Sequence, residues 1–158
     1  MKNKKLLITG GTGSFGNAVL KKFINTEISE IRIFSRDEKK QNDMRVSLKN
    51  DKIKFYIGDV RDYDSIYSAL DGVDYVFHAA AYKHVPLMEQ NPFEAVSVNI
   101  IGTCNTTELA IKHGAAKFIL ISTDKAVNPT NVMGTTKLMG ERLMTAANSS
   151  KRKNGPIF

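Results

Sequence analysis

The run Thr9-Gly10-Gly11-Thr12-Gly13-Ser14-Phe15-Gly16 has the composition of a phosphate-binding turn. Glycine has no Cβ, so the backbone can bend sharply and approach a pyrophosphate, while a helix opening at Ser14 and Phe15 presents free N–H groups and the positive end of its dipole. Gly11, Gly13 and Gly16 satisfy the spacing G-x-G-x-x-G, and Gly10, Gly13 and Gly16 the wider G-x-x-G-x-x-G. No Lys-Ser or Lys-Thr follows the glycines, which excludes a Walker A loop. About 20 residues beyond the motif, where such a site meets the ribose, the chain reads Phe34-Ser35-Arg36-Asp37. With Ser35 as the terminal strand position, a hydroxyl and the Arg36 guanidinium face a 2′-phosphate and favour NADP. A register one or two residues later puts Asp37 there and favours NAD. A charge-assisted hydrogen bond is worth roughly 1.5–3 kcal/mol, or one to two decades of preference, and NADP is the expected cofactor.

Such a turn works only between a strand and a helix, and the flanking pattern supplies both. Short apolar runs at Lys5–Thr9, Ile31–Ser35, Ile53–Ile57, Tyr75–His78 and Phe118–Ser122 read as buried strands. Helical patterns at Phe15–Asn25, Lys39–Leu48, Asp64–Leu70 and Phe93–His113 lie between them, and Gly134–Ala147 follows the last. Asn91-Pro92 suits a helix start and Gly114 a helix stop. The alternation predicts an α/β fold, a Rossmann-type doubly wound parallel sheet of five strands in order 3-2-1-4-5. Residues 1–148 are expected to be the NADP-binding domain. Residues 149–158 are polar until Gly155-Pro156-Ile157-Phe158 and read as the opening strand of a C-terminal substrate-binding part that this chain does not complete.

The chain has 158 residues, 42% apolar and 25% charged, enough for one core without staples. Its lone Cys104 cannot form an internal bridge, no apolar run reaches the roughly 18–20 residues of a membrane span, and Met1–Lys5 lacks a signal-peptide core. A cytoplasmic protein without membrane association is expected. Net charge is +7, from 23 Lys+Arg against 16 Asp+Glu, densest at Lys2, Lys4, Lys5, Lys151, Arg152 and Lys153. The other basic residues are interspersed with acids and no nucleic-acid motif with interleaved aromatics occurs, so the excess is read as attracting anionic nucleotides rather than nucleic acid. His113 and Cys104 have no partners at metal-ligand spacing, and no metal is expected.

Together with the glycine turn, Gly58-Asp59-Val60 and His78-Ala79-Ala80-Ala81 resemble the extended short-chain dehydrogenase/reductase superfamily across essentially the whole chain. The resemblance implies that Asp59, with Val60, contacts adenine and that Ala79, Ala80 and Ala81 let the cofactor lie against the backbone. A turn-capping Asp and a close-packed strand end are the plainer alternatives. Tyr82-Lys83-His84-Val85-Pro86 and the run from Ser122 to Lys137 look like the nucleotide-sugar 4,6-dehydratases of polysaccharide biosynthesis, particularly those acting on UDP-N-acetylglucosamine. Such enzymes oxidise C4 by hydride transfer to NADP+, eliminate water across C5 and C6, and return the hydride to C6.

By that resemblance Asp124, following Thr123, is the acid assisting loss of water and Lys125 the base at C5. The lysine requires a lowered pKa, from a desolvated site and the Lys137 charge. Four residues before Lys137 the superfamily places a Tyr base; here Met133 stands there, and a thioether has no proton to exchange. Asp124 is therefore also the candidate acceptor of the O4 proton. Lys137, one turn on, is expected to bind the nicotinamide ribose, and Met133 has a second reading as core filler. Lys83 and His84 are expected to border the sugar pocket, His84 reading equally as a surface loop residue. Asn99 matches a position that shapes the cofactor site, or is a buried amide bonded to backbone. The resemblance also implies a protein about twice as long, a UDP-sugar substrate, and a homo-oligomer packed through 93–113 and 134–147; without later strands, the fifth is expected to expose its edge. Two other readings compete: a nucleotide-sugar 4-epimerase or reductase, expected to keep the Tyr and lack Asp124-Lys125, and a nonenzymatic NADP-binding regulator.

Overall fold

The computed structural model describes residues 1–149 and 156–158. Strands β1 (Lys5–Thr9), β2 (Glu30–Ser35), β3 (Ile53–Ile57), β4 (Tyr75–His78) and β5 (Lys117–Leu120) pair in parallel in the order β3-β2-β1-β4-β5. This is the Rossmann-type sheet that the sequence predicts. Alternate residues of central β1 point to opposite faces. Leu6 and Ile8 pack with Val19 and Leu20 of α1 (Ser14–Phe23) and Met44 of α2 (Glu38–Leu48). On the other face, Leu7 joins a cluster with Ile66 of α3 (Tyr63–Leu70), Leu109 of α6 (Gly102–Lys112) and Met144 of α7 (Val132–Ser149). All five strands therefore end at one edge, where α/β sheets place their ligands.

Three features depart from the sequence reading. The segment expected as a loop around Tyr82–Pro86 turns into a short helix, α4 (Val85–Gln90), because Pro86 in its first turn suits a helix start. The single helix expected over Phe93–His113 is instead α5 (Pro92–Val96), a π turn (Ser97–Ile101) and α6. The Gly102 N–H reaches back to Ser97 O, and the Thr103 hydroxyl donates to Asn99 O at 2.7 Å, so side-chain bonding accompanies the widened turn. Finally, β5 stops at Leu120, two residues before the expected end; Ile121 N–H still donates to His78 O at 3.1 Å, while Ile121 O and Ser122 Oγ bond to α7.

Ile157 forms a parallel bridge with Lys117, its N–H donating to Ala116 O at 3.0 Å and its carbonyl accepting from Phe118 N at 2.8 Å. Ile157 thus adds one bridge to the start of β5, and the expectation of a bare β5 edge is corrected at that point. The rest of the expected C-terminal part, residues 150–155 with Lys151, Arg152, Lys153 and Gly155, lies outside the described residues. Among the described residues no helix is long and apolar enough to cross a membrane.

The glycine turn is a packed joint. Gly10 has φ +66°, and a Cβ on it would lie 2.8 Å from the Ala79 carbonyl carbon; one on Gly16 would lie 2.5 Å from Gly11 Cα. Gly16→Ala should therefore force the backbone apart at a cost of about 1–3 kcal/mol, seen as a melting temperature several degrees lower; an unchanged melting temperature would contradict this packing.

Candidate functional site

A groove of about 970 Å³ runs along the carboxyl edge of the sheet. Its first wall is the glycine turn: Gly10, Gly13, Ser14, Phe15 and Gly16 line it. Asn17 ties the turn together, donating to Thr12 O and Gly13 O at 3.2 and 3.0 Å. No side chain caps α1 at Gly13, so the start of the helix is open to a ligand anion, and the close backbone approach at Gly10 and Gly16 gives the cradle a shape that suits a pyrophosphate.

Ser35, the last residue of β2, and Arg36 line the next stretch. Asp37 lines the groove as well, so residues of both registers left open by the sequence face it. Asp37 is the N-cap of α2, one carboxylate oxygen accepting from Lys40 N at 2.9 Å and the other paired with Lys40 Nζ at 2.9 Å. Lys40 also lines the groove, a residue the sequence reading missed although its spacing from Asp37 places it on the first turn of α2. Gln41 Nε2 holds Ser35 through its carbonyl (3.0 Å) and hydroxyl (3.1 Å). Arg36 reaches across to Tyr82, with Nη1 3.1 Å from the phenol oxygen and the guanidinium carbon 5.3 Å from the ring centre.

Asp59 and Val60 line the groove after β3. Burial pushes the Asp59 carboxyl up, but hydrogen bonds from the Arg61 side chain (2.7 and 3.0 Å) and backbone outweigh it and hold the group below its usual range. The turn-capping reading of Asp59 is thus present alongside its place in the groove. Ala79, Ala80, Ala81, Tyr82 and Lys83 follow from β4. Asn99, 3% exposed in the π turn, accepts from Tyr82 N at 2.8 Å and donates to Tyr82 O and to Thr136 Oγ1 of α7 at 3.1 and 2.9 Å. The two readings of Asn99 merge: it is a buried amide bonded to backbone, and the backbone it holds is the groove wall.

At the far end Thr123, Lys125, Met133 and Lys137 line the groove. Asp124 and His84 do not. Asp124 sits in a 3₁₀ turn (Asp124–Ala126) with its side chain 87% exposed, accepting from the Thr123 hydroxyl at 2.9 Å; that bond and the Lys125 ammonium 3.6 Å away hold its carboxyl below the usual range. The desolvated setting expected for Lys125 is not found, because its side chain is 50% exposed. His84 is the exposed N-cap residue of α4. Lys137 is 9% exposed, donates Nζ to Ile121 O, and has its pKa lowered by burial, with Glu141 opposing. Glu141 accepts from Ser122 Oγ, a second tie between α7 and the end of β5 that the sequence reading missed and that the i+4 spacing from Lys137 signals. Met133, 4% exposed, packs with Met88 and Ala95 and also borders the groove, so both of its readings hold in part.

The model of the family described as "Polysaccharide biosynthesis protein" matches residues 6–158. The chain belongs to that family. It lies within the extended short-chain dehydrogenase/reductase group. A protein of Rickettsia canadensis named UDP-glucose 4-epimerase is 56% identical over 160 residues, covering 99% of this chain and 47% of the relative. Among solved structures, Pen from Bacillus thuringiensis is 43% identical with a TM-score of 0.95, over 98% of this chain and 50% of that one. DesIV, a dTDP-glucose 4,6-dehydratase from Streptomyces venezuelae solved with NAD and TYD bound, has a TM-score of 0.83 at 19% identity, over 92% of this chain and 52% of that one, and shares the fold. The chain spans about half the length of the curated relatives it matches.

The depressed Asp59 carboxyl makes a pH prediction. A lowered folded pKa contributes stability that is complete above the unfolded value near 3.8 and is lost as pH falls through the folded value. Asp59→Asn should lower the melting temperature at pH 7, and its deficit against the parent should shrink as pH falls below about 3.8. A deficit independent of pH would show that the carboxylate charge is not what holds the loop.

Proposed function

We propose that this chain is the dinucleotide-binding half of an enzyme that modifies the sugar of a nucleotide sugar, with NADP as its redox cofactor. The observation that carries the reading is the continuity of one groove from the glycine turn to the Thr123 hydroxyl and the Lys125 and Lys137 amines. The reaction proposed is dehydration of UDP-N-acetylglucosamine to a 4-keto-6-deoxy sugar nucleotide. When bound, NADP supplies the hydride acceptor for C4 and the donor for C6. Gly10, Gly13, Ser14, Phe15 and Gly16 bind the pyrophosphate, Ser35 and Arg36 the 2′-phosphate with Lys40 beside them, Asp59 and Val60 the adenine, and Ala79–Ala81 the face of the dinucleotide. Lys137 orients the nicotinamide ribose, and Lys83 and His84 border the sugar.

The proton steps fall to the pair after Thr123. Met133 offers no exchangeable proton, so Asp124, held ionised chiefly by its Thr123 bond, takes the O4 proton and later delivers it to the departing C6 hydroxyl. Lys125, which needs the desolvation that bound substrate would bring, removes the C5 proton as a neutral amine and returns it to C5 as the hydride reaches C6. For this the Asp124 carboxyl turns inward and gives up only exposed hydrogen bonds. Self-association through the helices after β4 and β5 is part of the proposal, and exposed Leu87, Phe93, Ile101 and Met139 support it, Phe93 being 87% exposed.

A second reading, 4-epimerisation, is favoured by the names of the Rickettsia relatives. Both reactions begin by oxidising C4, and product mass separates them. Protein spanning the full length of the relatives, incubated with UDP-N-acetylglucosamine, should give a product that has lost one water and carries deuterium at C5 when run in D₂O. An isobaric product would establish the epimerase, and no product at all would overturn both. For the cofactor, Arg36→Ala should weaken NADP binding by one to two decades, roughly 1.5–3 kcal/mol, and leave NAD nearly unchanged in a fluorescence titration of the reduced dinucleotides. Equal loss for both would remove the 2′-phosphate assignment.

A further inference from the structure

His78 closes β4 with no exposed surface, directly beneath the groove wall it precedes, and the reaction scheme above gives it no task. Its Nδ1 lies 2.8 Å from Thr9 Oγ1 and its Nε2 3.1 Å from Thr103 Oγ1. The hydrogens can be placed by elimination. The one hydroxyl proton of Thr103 is given to Asn99 O, so that oxygen can only accept from His78, and Nε2 carries the hydrogen. Thr9 Oγ1 already accepts the Ala80 N–H at 3.3 Å, and its own proton is directed to Nδ1. The result is one polarised chain: Ala80 N–H to Thr9, Thr9 to His78, His78 to Thr103, Thr103 to the carbonyl of Asn99.

Each end of that chain holds a part of the groove. Thr9 immediately precedes Gly10, whose Cα side abuts the Ala79–Ala80 peptide. Asn99 fixes the Tyr82 peptide on both its N–H and its carbonyl. We infer that His78 is a positioning residue for dinucleotide binding, holding the Ala79–Tyr82 wall at a fixed distance from the glycine turn through a single imidazole tautomer. This rests on the dinucleotide reading given above. The imidazole is also poorly able to take a second proton: burial, with the Lys137 charge adding to it, lowers its pKa to about 3.

The experiment pairs a spectroscopic readout with affinity, using the whole chain. Nitrogen NMR of labelled histidine should show His78 as the Nε2–H tautomer with a bare, accepting Nδ1. Reduced dinucleotide should bind roughly tenfold more weakly to His78→Phe, which keeps the ring volume and removes both bonds. Thr9→Val, which deletes the same donor from the other side, should weaken binding similarly, and the double variant should be little worse than either. His78→Asn, with an acceptor near the Nδ1 position, should restore part of the affinity. Ile28→Val, in the core of the opposite face, controls for general loosening: it should lower the melting temperature and leave affinity unchanged. An Nδ1–H tautomer overturns the inference even if His78→Phe does not fold. So does unaltered affinity in a folded His78→Phe or Thr9→Val. Failure of the unsubstituted chain to bind dinucleotide instead overturns the cofactor reading and this inference with it.

Discussion

Thr9 pairs with His78 across the parallel β1–β4 ladder, and from that one rung the chain departs to opposite faces of the sheet. After β1 it enters α1, whose Val19 and Leu20 pack on one face; after β4 it continues to α5 and α6, whose Leu109 packs on the other. Two helices leaving neighbouring strands in opposite directions cannot fill the space between them, and the crevice that results is a property of the topology. Everything chemical in this protein is arranged around that rung.

Backbone at several points of the crevice wall is held by polar side chains that are not themselves among its lining residues. Asn99 secures Tyr82, Asn17 secures Thr12 and Gly13, and Gln41 secures Ser35. Each of these amides adds a side-chain bond to backbone at the groove wall, beside the bonds that Gly58 N–H gives Ser35 O and Asn17 N–H gives Gly13 O. The charged residues play a different part: the Arg36–Asp59–Arg61 contacts sit at the mouth, where solvent screens them, and they orient side chains more than they stabilise the fold.

What could be read from the sequence was whatever depends on short-range pattern. Strand runs such as Lys5–Thr9 and Ile53–Ile57, the glycine turn, and the order of elements follow from periodicity and turn chemistry, and they appear with nearly the expected bounds. The helix expected across Phe93–His113 was visible as helix, but its π turn was not, because hydrophobic spacing does not register one additional residue in a turn, and Thr103 and Thr106 look like ordinary polar positions. At the site, lining residues from five separate strand ends were legible because each directly follows an apolar run. The direction of the Asp124 side chain was not, since it depends on the 3₁₀ turn and on the competition between Thr123 and Lys125 for its oxygens. Lys40 and Glu141 were missed although spacing signals both, Lys40 three residues after the cap Asp37 and Glu141 four after Lys137.

The Ile157 bridge bears on how the protein behaves in a crowded solution. An outermost strand offers amides and carbonyls to any passing chain, and such borders seed fibrils and precipitates. Here the carbonyl of Ala116 and the amide of Phe118 are already taken by Ile157, and Lys117 between them is an exposed cation. A foreign strand approaching β5 at its start meets a stretch already paired by Ile157, with the Lys117 cation beside it.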